Sequence, residues 1–113
     1  MCRVLILEDD PFIALDLQAI VEGEGHEVVR VCSAAGDAAR QRDYDFALLD
    51  VDVADGTSYG FASVLAERRI PFAFVSGSRR SDMPAHLRQA AFVQKPFSEG
   101  TIVGLLPANR RAA

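Results

Sequence analysis

Short apolar runs punctuate the chain: Val4-Leu5-Ile6-Leu7, Phe46-Ala47-Leu48-Leu49, Phe72-Ala73-Phe74-Val75 and the briefer Ala91-Phe92-Val93. Each is bounded by polar or turn-forming residues. Runs of this length suit strands buried on both faces, as in a parallel sheet. Residues 26–31, His26-Glu27-Val28-Val29-Arg30-Val31, predict a further strand, second in chain order. Between the strands the period lengthens. Ile13, Leu17, Ile20 and Val21 fall on one helical face. Asp10 is the expected N-cap, Pro11 the first helical residue, and Gly23 and Gly25 the stop. Ser33 is expected to cap a short alanine-rich helix through about residue 41. After a loop over 50–57, Phe61, Val64 and Leu65 keep helical spacing. Residues 81–89 predict a short fourth helix, interrupted at Met83-Pro84. Ser98 is expected to cap a last helix through about residue 106, which Pro107 stops. Residues 108–113 are expected to fray.

Strands and helices therefore alternate, with short connections. The pattern implies a doubly wound, five-stranded parallel α/β sheet with right-handed crossovers and helices on both faces. One domain over residues 1–107 is expected, with no internal repeat.

Composition narrows the classes. The 113 residues are 50% hydrophobic and 25% charged, as in a soluble globular domain. A formal net charge of −4 argues against a nucleic-acid surface. The pairs Arg68-Arg69, Arg79-Arg80 and Arg110-Arg111 lack interleaved aromatics and read as solvated surface. No stretch approaches the roughly 20 apolar residues of a membrane span, and no signal-peptide pattern opens the chain. A cytoplasmic location is expected. Cys2 and Cys32 would sit at opposite ends of neighbouring parallel strands, roughly 15 Å apart. A disulfide needs Cα atoms within about 7 Å, so both read as free thiols.

The chemistry lies at the strand ends. Glu8 and Asp9 follow the first strand, Asp50 the third, Ser76 the fourth and Lys95 the fifth. In a 2-1-3-4-5 order these groups converge at the edge where open α/β sheets bind ligands. Crowded carboxylates repel one another unless a divalent cation sits among them, and oxygen ligands suit Mg²⁺. A lysine and a hydroxyl beside the cation would hold phosphoryl oxygens. The suggested reaction is attack by Asp50 on phosphorus, giving an aspartyl phosphate. Singly, each residue has an ordinary alternative. Asp50 and Ser76 suit turns, Lys95 suits solvent, and Glu8-Asp9-Asp10 suits a helix N-terminus.

With these residues in place, the sequence resembles the receiver domain of two-component response regulators. The match rests on Val4-Leu5-Ile6-Leu7-Glu8-Asp9-Asp10-Pro11, Phe46-Ala47-Leu48-Leu49-Asp50, Val75-Ser76-Gly77 and Lys95-Pro96-Phe97, and spans nearly the whole chain. The resemblance implies a flavodoxin-like fold and a single-domain regulator that is not an enzyme toward other substrates. It implies that Asp50 accepts a phosphoryl group from a phosphohistidine on a sensor histidine kinase or phosphotransfer protein. Glu8, Asp9 and Asp50 would hold Mg²⁺ with the backbone carbonyl of Asp52. Lys95 would pair with the phosphoryl oxygens, Ser76 would move to hydrogen-bond them, and Phe92 matches the aromatic that turns inward with Ser76. No nucleic acid or membrane partner is implied. The sequence departs from the family at Ala54, where proline is usual, and in carrying an acid at Asp52. The stretch from Ser76 to Lys95 is short by a little under one helical turn. Together with Phe74-Val75-Ser76-Gly77, this is similar to the subgroup nicknamed for a Phe-Ala-Thr-Gly-Tyr-like motif, whose fourth helix is degenerate. Ser78 replaces its last position.

Two other readings compete. Asp50-Val51-Asp52 resembles the motif of haloacid-dehalogenase-type phosphatases, which also form an aspartyl phosphate. Those carry it on their first strand and need a later acidic pair, and the later acids here, Asp55, Glu67, Asp82 and Glu99, are unpaired. A receiver-like binding module that is never phosphorylated would be expected to lack an acid, Ser76 or Lys95. His26 and His86 have no partner spacing for metal or phosphotransfer.

Overall fold

The structure is a computed structural model that describes residues 1–107. The expected fraying of 108–113 lies outside the described residues. Five strands form one parallel sheet: β1 (Arg3–Leu7), β2 (Glu27–Cys32), β3 (Phe46–Leu49), β4 (Phe72–Ser76) and β5 (Ala91–Gln94). Their spatial order is β2-β1-β3-β4-β5, all parallel, as the alternation of elements predicts. The four helices are α1 (Pro11–Gly23), α2 (Ala35–Ala39), α3 (Tyr59–Glu67) and α4 (Glu99–Leu105).

The central strands β1 and β3 are buried along nearly their whole length, which is why their sequences are apolar without alternation. Their side chains nevertheless divide by parity between two cores. Leu5, Leu7, Ala47, Leu49 and Phe74 pack toward Ala38 of α2 and Phe61, Ala62 and Leu65 of α3. Val4, Ile6, Leu48, Ala73 and Val75 pack on the opposite face toward Leu17 and Val21 of α1 and Ile102 of α4. Both faces are covered, so the fold is doubly wound and flavodoxin-like.

Helix ends follow their expected chemistry in two cases. The Asp10 carboxylate accepts from the Phe12 and Ile13 amides (2.9 and 3.3 Å), with Pro11 opening α1. Ser98 caps α4 through the Thr101 amide. Elsewhere the structure corrects the sequence reading. Ser33 does not cap α2. Ala34 is the N-cap and has no side-chain bond, and the helix ends at Ala39. Its first amides are held from outside: the Asp55 carboxylate accepts from Ala35 (2.8 Å) and Gly36 (3.0 Å). The second strand starts at Glu27 because His26 closes the preceding turn, its amide bonded to the Val21 carbonyl and its Nδ1 accepting from the Cys2 amide at 2.9 Å. In α3 the core face is Phe61, Ala62 and Leu65, and Val64 is exposed.

The expected fourth helix is two single 3₁₀ turns, Arg80–Asp82 and Ala85–Leu87. Met83 stands between them in an extended conformation (φ −81°, ψ 153°). The proline that follows disfavours helical backbone at that position and donates no amide bond of its own. Met83 and Leu87 anchor the segment, at 1% and 2% exposure. Arginines supply what a helical ladder would have. Arg80 Nη1 donates to the carbonyls of Arg88 and Ala90, both at 2.6 Å, and Arg88 Nε donates to that of Met83 at 2.9 Å. Arg80 is thus exposed, as its sequence context suggested, and also serves as a structural clip.

Candidate functional site

Parallel pairing brings the carboxyl ends of β1, β3, β4 and β5 to one edge. The Glu8 amide bonds to the Cys32 carbonyl (2.9 Å), the Asp50 amide to the Leu7 carbonyl (2.8 Å) and the Lys95 amide to the Ser76 carbonyl (2.8 Å). These three residues are therefore each held by the last peptide unit of the neighbouring strand. Oxygens of Glu8, Asp9 and Asp50 lie within 4.8 Å of one another. Glu8 and Asp50 are buried, at 3% and 8% exposure, while Asp9 faces solvent.

Lys95 reaches both buried acids, with Nζ 2.7 Å from Glu8 Oε1 and 3.1 Å from Asp50 Oδ2. The remaining carboxylate oxygens accept from the backbone: Glu8 Oε2 from the Asp10 amide (3.1 Å) and Asp50 Oδ1 from the Val51 amide (2.8 Å). Burial pushes the Glu8 carboxyl up to about 7. Lys95 and the Asp10 amide oppose that rise, and the nearby Asp50 adds to it. For Lys95, burial acts against the charge, but the hydrogen bonds it donates to Glu8 and Asp50 outweigh it and raise the ammonium pKa. The lysine therefore stays protonated through neutral pH.

The other residues singled out in the sequence stand around this core. Ser76 closes β4 and is 1% exposed. Its hydroxyl accepts from the Ser78 amide at 3.2 Å. Asp52 opens a two-residue antiparallel hairpin, Asp52–Val53 with Gly56–Thr57. Phe92 is half-buried on β5, its ring 6.4 Å from Phe74 and 5.5 Å from the Arg80 guanidinium. Glu8, Asp9, Asp50 and Lys95 are brought together, and Phe92 lies apart behind the 3₁₀ segment. Ser58 was not anticipated. It is fully buried, and its hydroxyl donates to the Asp50 carbonyl at 2.6 Å while its amide donates to the Val51 carbonyl. An isolated serine eight residues after an acid carries no pattern that would have flagged it. His26 and His86 take no part: the first is a buried turn residue, and the second lies 2.8 Å from the Ser63 hydroxyl.

A parallel sheet in this order, with an acidic pair, a central aspartate, a hydroxyl and a lysine at its carboxyl edge, defines the receiver class, and the chain is a receiver domain of the response-regulator family. It is 31% identical over 112 residues to the phyllosphere-induced regulator PhyR of Methylorubrum extorquens, a match covering 92% of this chain and 42% of that protein. The chain thus spans less than half the length of that relative. Among solved structures, SdrG from Sphingomonas melonis Fr1 superposes with a TM-score of 0.80 at 29% identity, covering 93% of this chain and 92% of SdrG. The response regulator PhyR from Brucella abortus gives 0.78 at 28% identity, covering 92% and 45%. No family model matches the chain.

Proposed function

We propose that this receiver accepts a phosphoryl group on Asp50 from a phosphohistidine of a sensor kinase or phosphotransfer protein, with Mg²⁺ as cofactor, and signals through the change that follows. The observation carrying this reading is one buried carboxylate, Asp50, within 3.1 Å of a lysine and 4.8 Å of two further acids. Three carboxylates against one ammonium leave two negative charges in excess when all are ionised. The donors are all oxygen, the set a hard divalent cation takes. Glu8, Asp9 and Asp50 would hold it, with the Asp52 carbonyl. Bound there, the cation neutralises charge on the phosphoryl oxygens during transfer.

The residues themselves account for the rest. An Asp50 oxygen forms the new P–O bond as the donor's P–N bond breaks, and the leaving imidazole keeps the electron pair and takes a proton. The Val51 amide and Ser58 fix the acceptor's backbone and one carboxylate oxygen, so little orientation remains to be lost on reaction. Lys95 already touches Asp50 Oδ2 and supplies a fixed positive charge for the transferred group. The Ser76 hydroxyl, which accepts from the Ser78 amide, still has its proton to donate to a phosphoryl oxygen. The chain acts as a regulator rather than as an enzyme on other substrates. No helix among the described residues is long and apolar enough to cross a membrane, and a cytoplasmic location suits the proposed partners.

Incubation with Mg²⁺ and acetyl phosphate should add one acid-stable, base-labile phosphoryl group. Asp50→Asn and excess EDTA should each abolish it. Equal labelling of the Asp50→Asn protein would overturn the assignment.

A further inference from the structure

We infer that Asp55 is a positioning residue for the acceptor site, acting through the hairpin that leaves Asp50. The inference rests on the phospho-acceptor reading above and adds a residue to it. The hairpin is two residues per strand, too short to hold itself in place. Its turn residues Ala54 and Asp55 are exposed, as is Gly56 at the start of its second strand, which has a positive φ of 127°. Of the hairpin residues only Val53 is buried. Val53 packs into the core and Asp52 Oδ2 takes a long 3.4 Å bond from the Ser78 hydroxyl, while the backbone itself is tied at two points. At the foot, Ser58 bonds the carbonyls of Asp50 and Val51. At the tip, the Ala54 amide bonds the Ser33 carbonyl at 2.9 Å, and both Asp55 oxygens take amides of α2.

Two of the three bonds at the tip belong to one side chain. Among the described residues those same bonds are the only side-chain cap on the N-terminal amides of α2, since Ala34 provides none. Asp55 thus joins two weak elements, and Asp52, whose carbonyl is the expected cation ligand, lies between the two fixed points. Removing Asp55 leaves the tip on one backbone bond, and the peptide units between foot and tip spread over more conformations. A cation held partly by that backbone binds less tightly.

The experiment measures Mg²⁺ binding directly, without phosphorylation, by the shift of the Val51 amide resonance during titration. That amide donates to Asp50 Oδ1 and reports on the carboxylate. Asp55→Ala should weaken Mg²⁺ binding about three- to tenfold, below the 10–100-fold typical of groups that touch a ligand directly. Asp55→Asn keeps one acceptor oxygen and should fall between. Ala34→Ser combined with Asp55→Ala gives α2 a cap of its own without restoring the tie. It should recover the melting temperature of Asp55→Ala but not its Mg²⁺ affinity. Unchanged affinity in Asp55→Ala, or recovery of both properties in the double variant, overturns the proposal and leaves Asp55 a helix cap only. If the unmutated protein shows no Mg²⁺ response, the metal reading fails first, while faster amide exchange at Ala54 in Asp55→Ala would still register the lost tie.

Discussion

Glu8 gives the site a measurable cost when no cation is present. Its carboxyl is shifted from 4.5 to about 7, mainly by burial. Between those values the native protein binds more protons than the unfolded chain. The contribution of this group to stability is therefore complete below about 4.5 and is lost as pH rises through 7. At about 1.4 kcal/mol per pH unit the whole interval is worth about 3 kcal/mol, and the range from pH 5 to pH 8 covers most of it. Lys95, whose pKa is raised from 10.5, stays charged over the same range and adds no slope. Urea unfolding in EDTA at pH 5 and pH 8, on the unmutated protein and on Glu8→Gln, isolates the effect, because the variant subtracts every other titrating group. The unmutated protein should lose about 2–3 kcal/mol more than Glu8→Gln between the two pH values. Excess Mg²⁺ should flatten the slope, since a cation favours the ionised acid. Equal pH dependence in the two proteins would refute the reasoning: Glu8 would then be no more deprotonation-averse folded than unfolded, and its burial would carry no cost for the charged form.

Further outcomes follow from other contacts. In metal-free protein, Asp9→Asn or Asp50→Asn should raise stability by about 1 kcal/mol by relieving like-charge repulsion, and Mg²⁺ should stabilise these variants less than the parent in thermal melts. Ser58→Ala leaves the buried Asp50 carbonyl without its 2.6 Å donor and should cost about 1–3 kcal/mol by urea unfolding; a neutral result would mean that water replaces the hydroxyl. Hydrogen exchange should find residues 79–89 the least protected part of the described fold, and beryllofluoride, a phosphoryl mimic, should slow exchange there. Strong protection in the free protein, unchanged by the mimic, would rule this out. Burial raises the pKa of both Cys2 and Cys32, so neither thiol should react readily with Ellman's reagent until the protein unfolds.

What the sequence made legible follows the physics of each signal. Apolar runs such as Phe46 to Leu49 announce a buried parallel strand because nothing else buries four consecutive side chains so economically. Once the strand order is fixed, Glu8, Asp9, Asp50 and Lys95 must meet at one edge. Local caps were equally readable where the side chain serves its own helix, as at Asp10 and Ser98. The failures are contacts between residues far apart in the chain. Asp55 caps a helix that begins twenty residues earlier, whereas proximity in sequence points to Ser33. Ser58 was invisible because its partner is a backbone carbonyl. Arg80 lies at the surface as expected, but its bonds to peptide oxygens leave no trace in composition.

The clips made by Arg80 and Arg88 also bear on how this receiver can change over evolutionary time. A helix spreads its hydrogen bonding over every peptide unit, so retuning its persistence takes many substitutions, each of small effect. Here part of that task passes to two side chains, beside a few 3₁₀ backbone bonds and the buried Met83 and Leu87, and a proline is admitted at 84. A lineage can loosen or tighten this segment with one mutation at either arginine. The surrounding sequence meanwhile drifts to fit new partners, leaving the strands and the acceptor edge untouched.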